Sequence, residues 1–452
     1  MERDQRNAYE RMLGERLTRR SFLRATGMSG AALGLGAVLA ACKSSSGEGG
    51  STGASGGAGE AVKVGYVSPQ TGALAPFGEA DAYVIGAVKD QLTGLTIAGK
   101  TRDIQIIEKD SQSDPNRAAQ VASDLITSDG VDLMLVAGTP ETTNPVSGQC
   151  EANGVPCVST VAPWQPWFLG QQKDPANPVP FKFAYHFFWG LEDIEQVFLD
   201  MWNTINTNKK VAGLFPNDGD GNAWGDPNLG FPSFFGPNGY EIVDPGRYED
   251  GTQDFSAQIP AYKKANAQIL TGVPIPPDFT NFWKQANQQG FVPKIASVGK
   301  ALLFPSSVEA LGPIGEGMST EYWWGPTHPF TSSLTDQTAM QLADAYTTST
   351  SKEWTQPIGF AHALIEVATD VLQRTTDLTP DAIVAAIAAT NLNTIVGQIQ
   401  WTGQPFPNVA KTQLVGGQWK KGSDFPYDLV VVSNKALPSV PIGGTFDPIP
   451  GS

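Results

Sequence analysis

The run Asp218-Gly219-Asp220-Gly221-Asn222 comes nearest to a metal loop in this chain. Oxygen-bearing side chains at alternate positions are what a calcium loop needs. That loop also turns on a glycine at its sixth position and closes with a bidentate Glu at its twelfth. Here those places hold Ala223 and Leu229, so an Asp/Gly turn accounts for the run better. His186, His328 and His362 are dispersed, with no ligand spacing. Gly53-Ala54-Ser55-Gly56-Gly57 has the outline of a nucleophile elbow but lies in a Gly/Ser tract. An elbow needs a strand, a tight turn and a helix around its serine. No Walker loop is present. No catalytic residue, cofactor or metal is therefore expected, and the chain does not read as an enzyme. Cys150 and Cys157 are seven apart. They are a possible disulfide or two buried thiols, since spacing does not give geometry.

Charge separates the chain into two unlike parts. Its 452 residues carry a formal net charge of −15. Residues 1–41 hold seven Arg and four acids, a net of +3; the rest holds 23 basic and 41 acidic residues, a net of −18. That acidity excludes a nucleic-acid partner, which would need clustered Lys and Arg. The basic start followed by the uncharged run Ala25–Cys42 is the pattern of an export signal, too short in its apolar part for a membrane span. Thr18-Arg19-Arg20-Ser21-Phe22-Leu23-Arg24 resembles a twin-arginine address. Leu39-Ala40-Ala41-Cys42 resembles a bacterial lipobox, with lipid attached at Cys42. Residues 42–60 then form a Gly/Ser tether, whose seventeen residues 43–59 reach roughly 20–25 Å. The expected object is an exported folded unit, lipid-anchored in the periplasm or on the outer face of the cytoplasmic membrane.

The elements that must position any site alternate. Strands are predicted near 61–67, 104–108, 132–136 and 156–159, with helices near 78–92, 114–128 and 141–153. A second series has strands at 182–185, 211–215, 240–243, 268–271 and 294–298. Its helices are at 191–205, 223–235, 255–265 and 278–289. Alternation of this kind gives right-handed βαβ units and parallel sheets. Residues 326–390 read as mainly helical, and the tail returns to strands and turns.

One stretch is more specific: Val64-Gly65-Tyr66-Val67-Ser68-Pro69-Gln70-Thr71-Gly72-Ala73-Leu74-Ala75-Pro76-Phe77-Gly78. It resembles the opening of the branched-chain-amino-acid-type periplasmic binding proteins, the substrate receptors of ABC importers. Asp110–Pro115, Val136–Thr139, Asn153–Pro156, Phe215–Asp218 and Trp224-Gly225 extend the resemblance over most of 61–390. It implies an α/β, type I periplasmic-binding-protein fold: two doubly wound parallel-sheet lobes joined by a hinge with about three crossings. The first lobe would be 61–184 with 326–390, the second 185–325 with 391–452. A small-molecule ligand would bind between the lobes of a monomer that docks on ABC-importer permease subunits.

The same resemblance implies the ligand-binding residues. Phe77 would set a ring against the ligand. Gly138, Thr139, Pro140, Glu141 and Thr142 occupy the loop that usually holds a ligand carboxylate, although Pro140 has no N–H and Glu141 is anionic. Ala162 and Trp164 form the next wall, and Trp189, Trp224 and Trp323 offer flat faces. Lys300 falls near the acidic residue that usually meets an amino acid's ammonium group. A lysine there would attract a carboxylate and repel an ammonium. The expected ligand is therefore a carboxylate or an aromatic or polar compound rather than a standard α-amino acid. Amino-acid or amide binding by the same fold, a sensor receptor and a secreted glycosidase-like enzyme are the alternatives.

Overall fold

The computed structural model describes residues 59–404 and 406–452. The export segment 1–41, the lipidation candidate Cys42 and nearly all of the tether lie outside the described residues. Thirteen strands build two large sheets. The first five are β1 (Val62–Ser68), β2 (Ile104–Asp110), β3 (Leu133–Ala137), β4 (Cys157–Thr160) and β5 (Ala184–Phe187). The next five are β6 (Lys210–Leu214), β7 (Glu241–Val243), β8 (Ile269–Gly272), β9 (Ile295–Val298) and β10 (Ser319–Tyr322). The tail adds β11 (Val409–Ala410), β12 (Val415–Lys421) and β13 (Tyr427–Ser433).

The first sheet has the order β11-β5-β4-β3-β1-β2 and is wholly parallel. The second runs β13-β12-β10-β9-β8-β6-β7, with antiparallel pairing only where β12 joins β10 and β13. Strands covered by helices on both faces lose the apolar–polar alternation and are buried throughout. β3 to β5 and β8 to β10 are buried at every position. The chain crosses between the sheets after β5, after β10 and between β11 and β12. This is the type I periplasmic-binding-protein arrangement of two lobes.

Four helices matter for the cleft and its support: α1 (Pro140–Asn153), α2 (Leu191–Trp202), α3 (Gly219–Trp224) and α4 (Pro357–Arg374). Pro140 and Pro357 stand in first turns, where the missing N–H has no intrahelical partner to lose. α4 is buried along almost its whole length and packs on β3 and β4. Among the described residues no helix is long and apolar enough to cross a membrane.

Two expectations are corrected, and one of two open alternatives is selected. Two lobe boundaries move. Ala184–Phe187 pairs with β4, and Val409–Ala410 pairs with β5, so both belong to the first sheet rather than the second lobe. The cause is Asn408, whose amide group donates to the carbonyls of Phe181 and Ala184 and accepts from the Phe181 N–H. The helix expected at 223–235 is broken into α3 and a separate five-residue helix at Phe231–Phe235. Asp226 stops it by accepting from the N–H groups of Asn228 and Leu229. Finally, Cys150 and Cys157 are buried free thiols, not a disulfide. Burial pushes the Cys150 thiol upward, and Cys157 beside it adds to that.

Candidate functional site

The C-terminal ends of both sheets open onto one cleft between the lobes. Ligands in open α/β sheets bind at such strand ends. Phe77, Thr139, Val161 and Pro163 line it from the first lobe, and Phe188 and Trp189 from the first crossing. Asp220, Trp224, Val273, Lys300, Leu303 and Glu321 line it from the second, with Trp323 at the next crossing. Phe77 also reaches across to Phe304, with ring centroids 4.8 Å apart and planes at 80°. Two cleft residues hold left-handed backbone without being glycine, Val161 (φ 76°) and Lys300 (φ 56°). For a β-branched residue this is a rare conformation, and such strain tends to collect at ligand sites.

Each wall has an identifiable support. His186 is buried and stacked on Trp167, with ring centroids 4.6 Å apart. Its Nε2 donates to the Ala162 carbonyl at 2.7 Å and its Nδ1 meets Ser159 Oγ at 2.8 Å. Burial pushes this imidazole down to about 3, so it stays neutral and fixes the turn at Val161–Pro163. Trp224 stacks on Phe231 at 4.6 Å. Gly299 lets Trp224 and Glu321 come together: a Cβ there would lie 2.5 Å from the Trp224 ring and 3.2 Å from both Glu321 oxygens.

The charged part of the cleft centres on Lys300, which is 4% exposed. Its ammonium donates to Asp218 Oδ2 at 2.6 Å and pairs with Asp220 Oδ2 at 2.9 Å. Glu141 joins from the first lobe and accepts the Gly219 N–H at 3.2 Å. One carboxylate oxygen from each of Glu141, Asp218 and Asp220 lies within 4.8 Å of the other two, with the Lys300 ammonium beside them. Burial disfavours that ammonium, but the Asp218, Asp220 and Glu141 charges outweigh burial and hold it well above the usual lysine range. Burial pushes Asp220 up to about 7 against the opposing pull of Lys300, with Glu141 and Asp218 adding to the rise. Glu321, also buried, is pushed up to about 7.

The sequence-predicted residues divide. Phe77, Thr139, Trp189, Trp224, Lys300 and Trp323 line the cleft together. Glu141 and Pro140 stand at its rim, where the lobes meet over Gly219. Four others serve the scaffold. The Gly138 N–H donates to the Thr160 carbonyl, and Thr142 Oγ1 meets Ser111 Oγ at 3.2 Å. The Ala162 carbonyl is engaged by His186. Trp164 is a core residue, packed on Phe406 and donating to Glu192 at 3.1 Å. The role expected of Lys300 is corrected too: with two carboxylates paired to it and a third close by, it presents no free positive charge to a carboxylate. Asp220 and Glu321 were missed. The Asp218–Asn222 run was the available signal for Asp220, and it reads as a plain turn until Lys300 is placed beside it.

Several buried polar atoms of cleft-lining residues have no protein partner among the described residues: the indole N–H groups of Trp189, Trp224 and Trp323, and Asp220 Oδ1. Buried polar groups are nearly always paired. A ligand in the cleft would offer such atoms the partners they lack. Five aromatic rings, three free donors and acidic oxygens together suit a small organic solute with a ring or apolar body.

Known proteins agree with this geometry. A profile of the family described as periplasmic binding protein matches residues 61–423. The structure is similar to the leucine binding protein LivK of Thermotoga maritima, at 20% identity and a TM-score of 0.66, over 83% of this chain and 99% of that one. It is similar to the branched-chain amino acid transporter substrate binding protein LivJ of Streptococcus pneumoniae in complex with isoleucine, at 17% identity and 0.66, over 82% and 99%. A solute binding protein of an ABC transporter from Rhodopseudomonas palustris, in complex with 3,4-dihydroxy benzoic acid, gives 19% identity and 0.66, over 82% and 96%. No curated protein matches the chain.

Proposed function

Because the chain belongs to the periplasmic binding protein family, we propose that it is an exported solute-binding lipoprotein, tethered through Cys42, that delivers a small organic compound to an ABC importer. The observation that carries this is the cleft itself: five rings (Phe77, Phe188, Trp189, Trp224, Trp323) meet unpaired polar atoms between two lobes. A ligand touching both lobes favours their closed arrangement, and closure is what a permease can sense.

The ligand in this proposal is not a standard α-amino acid. A loop that captures an α-carboxylate needs free N–H groups, and here most are absent or engaged. Pro140 has none, Gly138 donates to Thr160, and Thr142 and Thr143 donate to the Thr139 carbonyl. The similar structures hold isoleucine in one case and 3,4-dihydroxybenzoic acid in another. These two compounds define the comparison.

The test is a thermal-shift screen of the purified chain against leucine, isoleucine, 3,4-dihydroxybenzoate and a panel of polar and aromatic solutes. The expected outcome is a shift of several degrees with a compound that is not an α-amino acid, and none with leucine or isoleucine. Saturation a hundredfold above Kd stabilises by about 2.7 kcal/mol, enough to see. A large shift with leucine would overturn the ligand assignment.

A further inference from the structure

We propose that the cleft takes a small organic cation, an ammonium-bearing solute held between the faces of Trp189, Trp224 and Trp323 and against the carboxylates of Asp220 and Glu321. This deepens the solute-binding reading and rests on it.

The charge balance of the cleft leads to this class. Lys300 is the single basic residue among its lining, and Asp218, Asp220 and Glu141 already surround it. Glu321 adds a further carboxylate, with no cationic partner among the described residues; its Oε2 accepts from the Thr320 hydroxyl. Negative groups therefore exceed positive ones inside a water-poor space, where opposite charge is attracted strongly. Asp220 is 3% exposed, lines the cleft, and leaves Oδ1 without a partner. That oxygen accepts a donor or faces a cation; a second anion there would be repelled. Burial pushes both Asp220 and Glu321 up to about 7, and a bound cation would relieve that.

The rings provide the second, independent observation. Indole faces attract ammonium groups through the ring quadrupole, most strongly when water is excluded. Trp189, Trp224 and Trp323 are each 1–2% exposed and line the same cleft. Their unpartnered N–H groups add one requirement. The solute also carries an acceptor oxygen, as an amino alcohol or a betaine does.

Isothermal titration calorimetry on the purified full chain tests this with choline, ethanolamine and glycine betaine, each of which joins a cationic ammonium group to an acceptor oxygen. 3,3-Dimethylbutan-1-ol serves as the uncharged isostere of choline, and 3,4-dihydroxybenzoate as the anion. The expected result is saturable binding of at least one cation. If that cation is choline, the isostere binds at least tenfold more weakly. Asp220→Asn and Glu321→Gln, each checked for folding by circular dichroism, weaken the cation at least tenfold. Binding of 3,4-dihydroxybenzoate without any cation would overturn the cation class while leaving the solute-binding reading intact. Equal affinity for choline and its isostere would also overturn the class. Failure of every probe, with no change in the radius of gyration by X-ray scattering, would remove both.

Discussion

Lys300 is the residue on which the site's electrostatics turn. A methionine there keeps the stem's volume but leaves Glu141, Asp218 and Asp220 facing one another in a buried space. Removing one partner of a buried ion pair costs about 3–5 kcal/mol, because the remaining charges stay desolvated and unpaired. Lys300→Met is therefore expected to lose stability of that order at pH 7.5. The deficit should shrink toward pH 5. Asp220, at about 7 in the fold and ~3.9 unfolded, takes up a proton within that window, and a neutral carboxyl needs no cation. Urea unfolding at both pH values checks this; an equal deficit at each would show that packing, not charge, is lost. The limit of sequence reading is clear at this scale. Lys300 and Asp218 are 82 positions apart, so Lys300 looks like a free cation until the fold supplies its partners. Phe77 and Trp224 were legible because they stand within motif stretches, whereas Trp164 shares its residue type with the cleft tryptophans and packs in the core instead.

Two helix starts meet where the lobes touch. α1 begins at Pro140 on the first lobe and α3 at Gly219 on the second, and they meet where Glu141 accepts the Gly219 N–H. A Cβ on Gly219 would already lie 3.1 Å from Pro140 Cβ. Gly219→Val therefore holds the lobes apart without entering either core, since Gly219 is exposed. The expected outcome is a melting temperature within about two degrees of the parent, as exposed changes move stability by only ~0.5 kcal/mol. Ligand affinity should fall at least tenfold, and X-ray scattering should report a larger radius of gyration in saturating ligand. Unchanged affinity would mean that closure does not bring these two helix starts together. Strand and helix order was legible from local alternation and turn residues, because those signals are short-range. The lobe boundaries were not, since they depend on pairings such as Val409 with His186, which link distant segments.

At the scale of the whole molecule, buried acids and buried imidazoles pull stability in opposite directions with pH. Asp81, Asp220, Glu321, Glu353 and Glu366 are buried, and burial first of all pushes their pKa values up to about 7 or 8. The unfolded chain releases those protons near pH 4, so around neutrality the folded form binds more protons than the unfolded one. Stability from these groups is therefore greatest at low pH and is lost as pH rises through 7. His186, His328 and His362 act the other way: burial pushes them down to about 3, 4 and 4. Below ~6.5 the unfolded chain's imidazoles take protons that the folded ones refuse, and the contribution of these three groups to stability falls. Between pH 8.5 and 6.5 the acids act almost unopposed. Calorimetry of the ligand-free chain is thus expected to give a higher melting temperature at pH 6.5 than at 8.5, and a shallower further rise below pH 6.5, where the three imidazoles offset part of the gain from the five acids. A melting temperature that is flat or higher at pH 8.5 would contradict the burial-raised pKa values of these five acids. Because Asp220 and Glu321 line the cleft while Asp81, Glu353 and Glu366 do not, a saturating cation should flatten only part of that slope. The share it removes measures how much of the molecule's acid response belongs to the binding site.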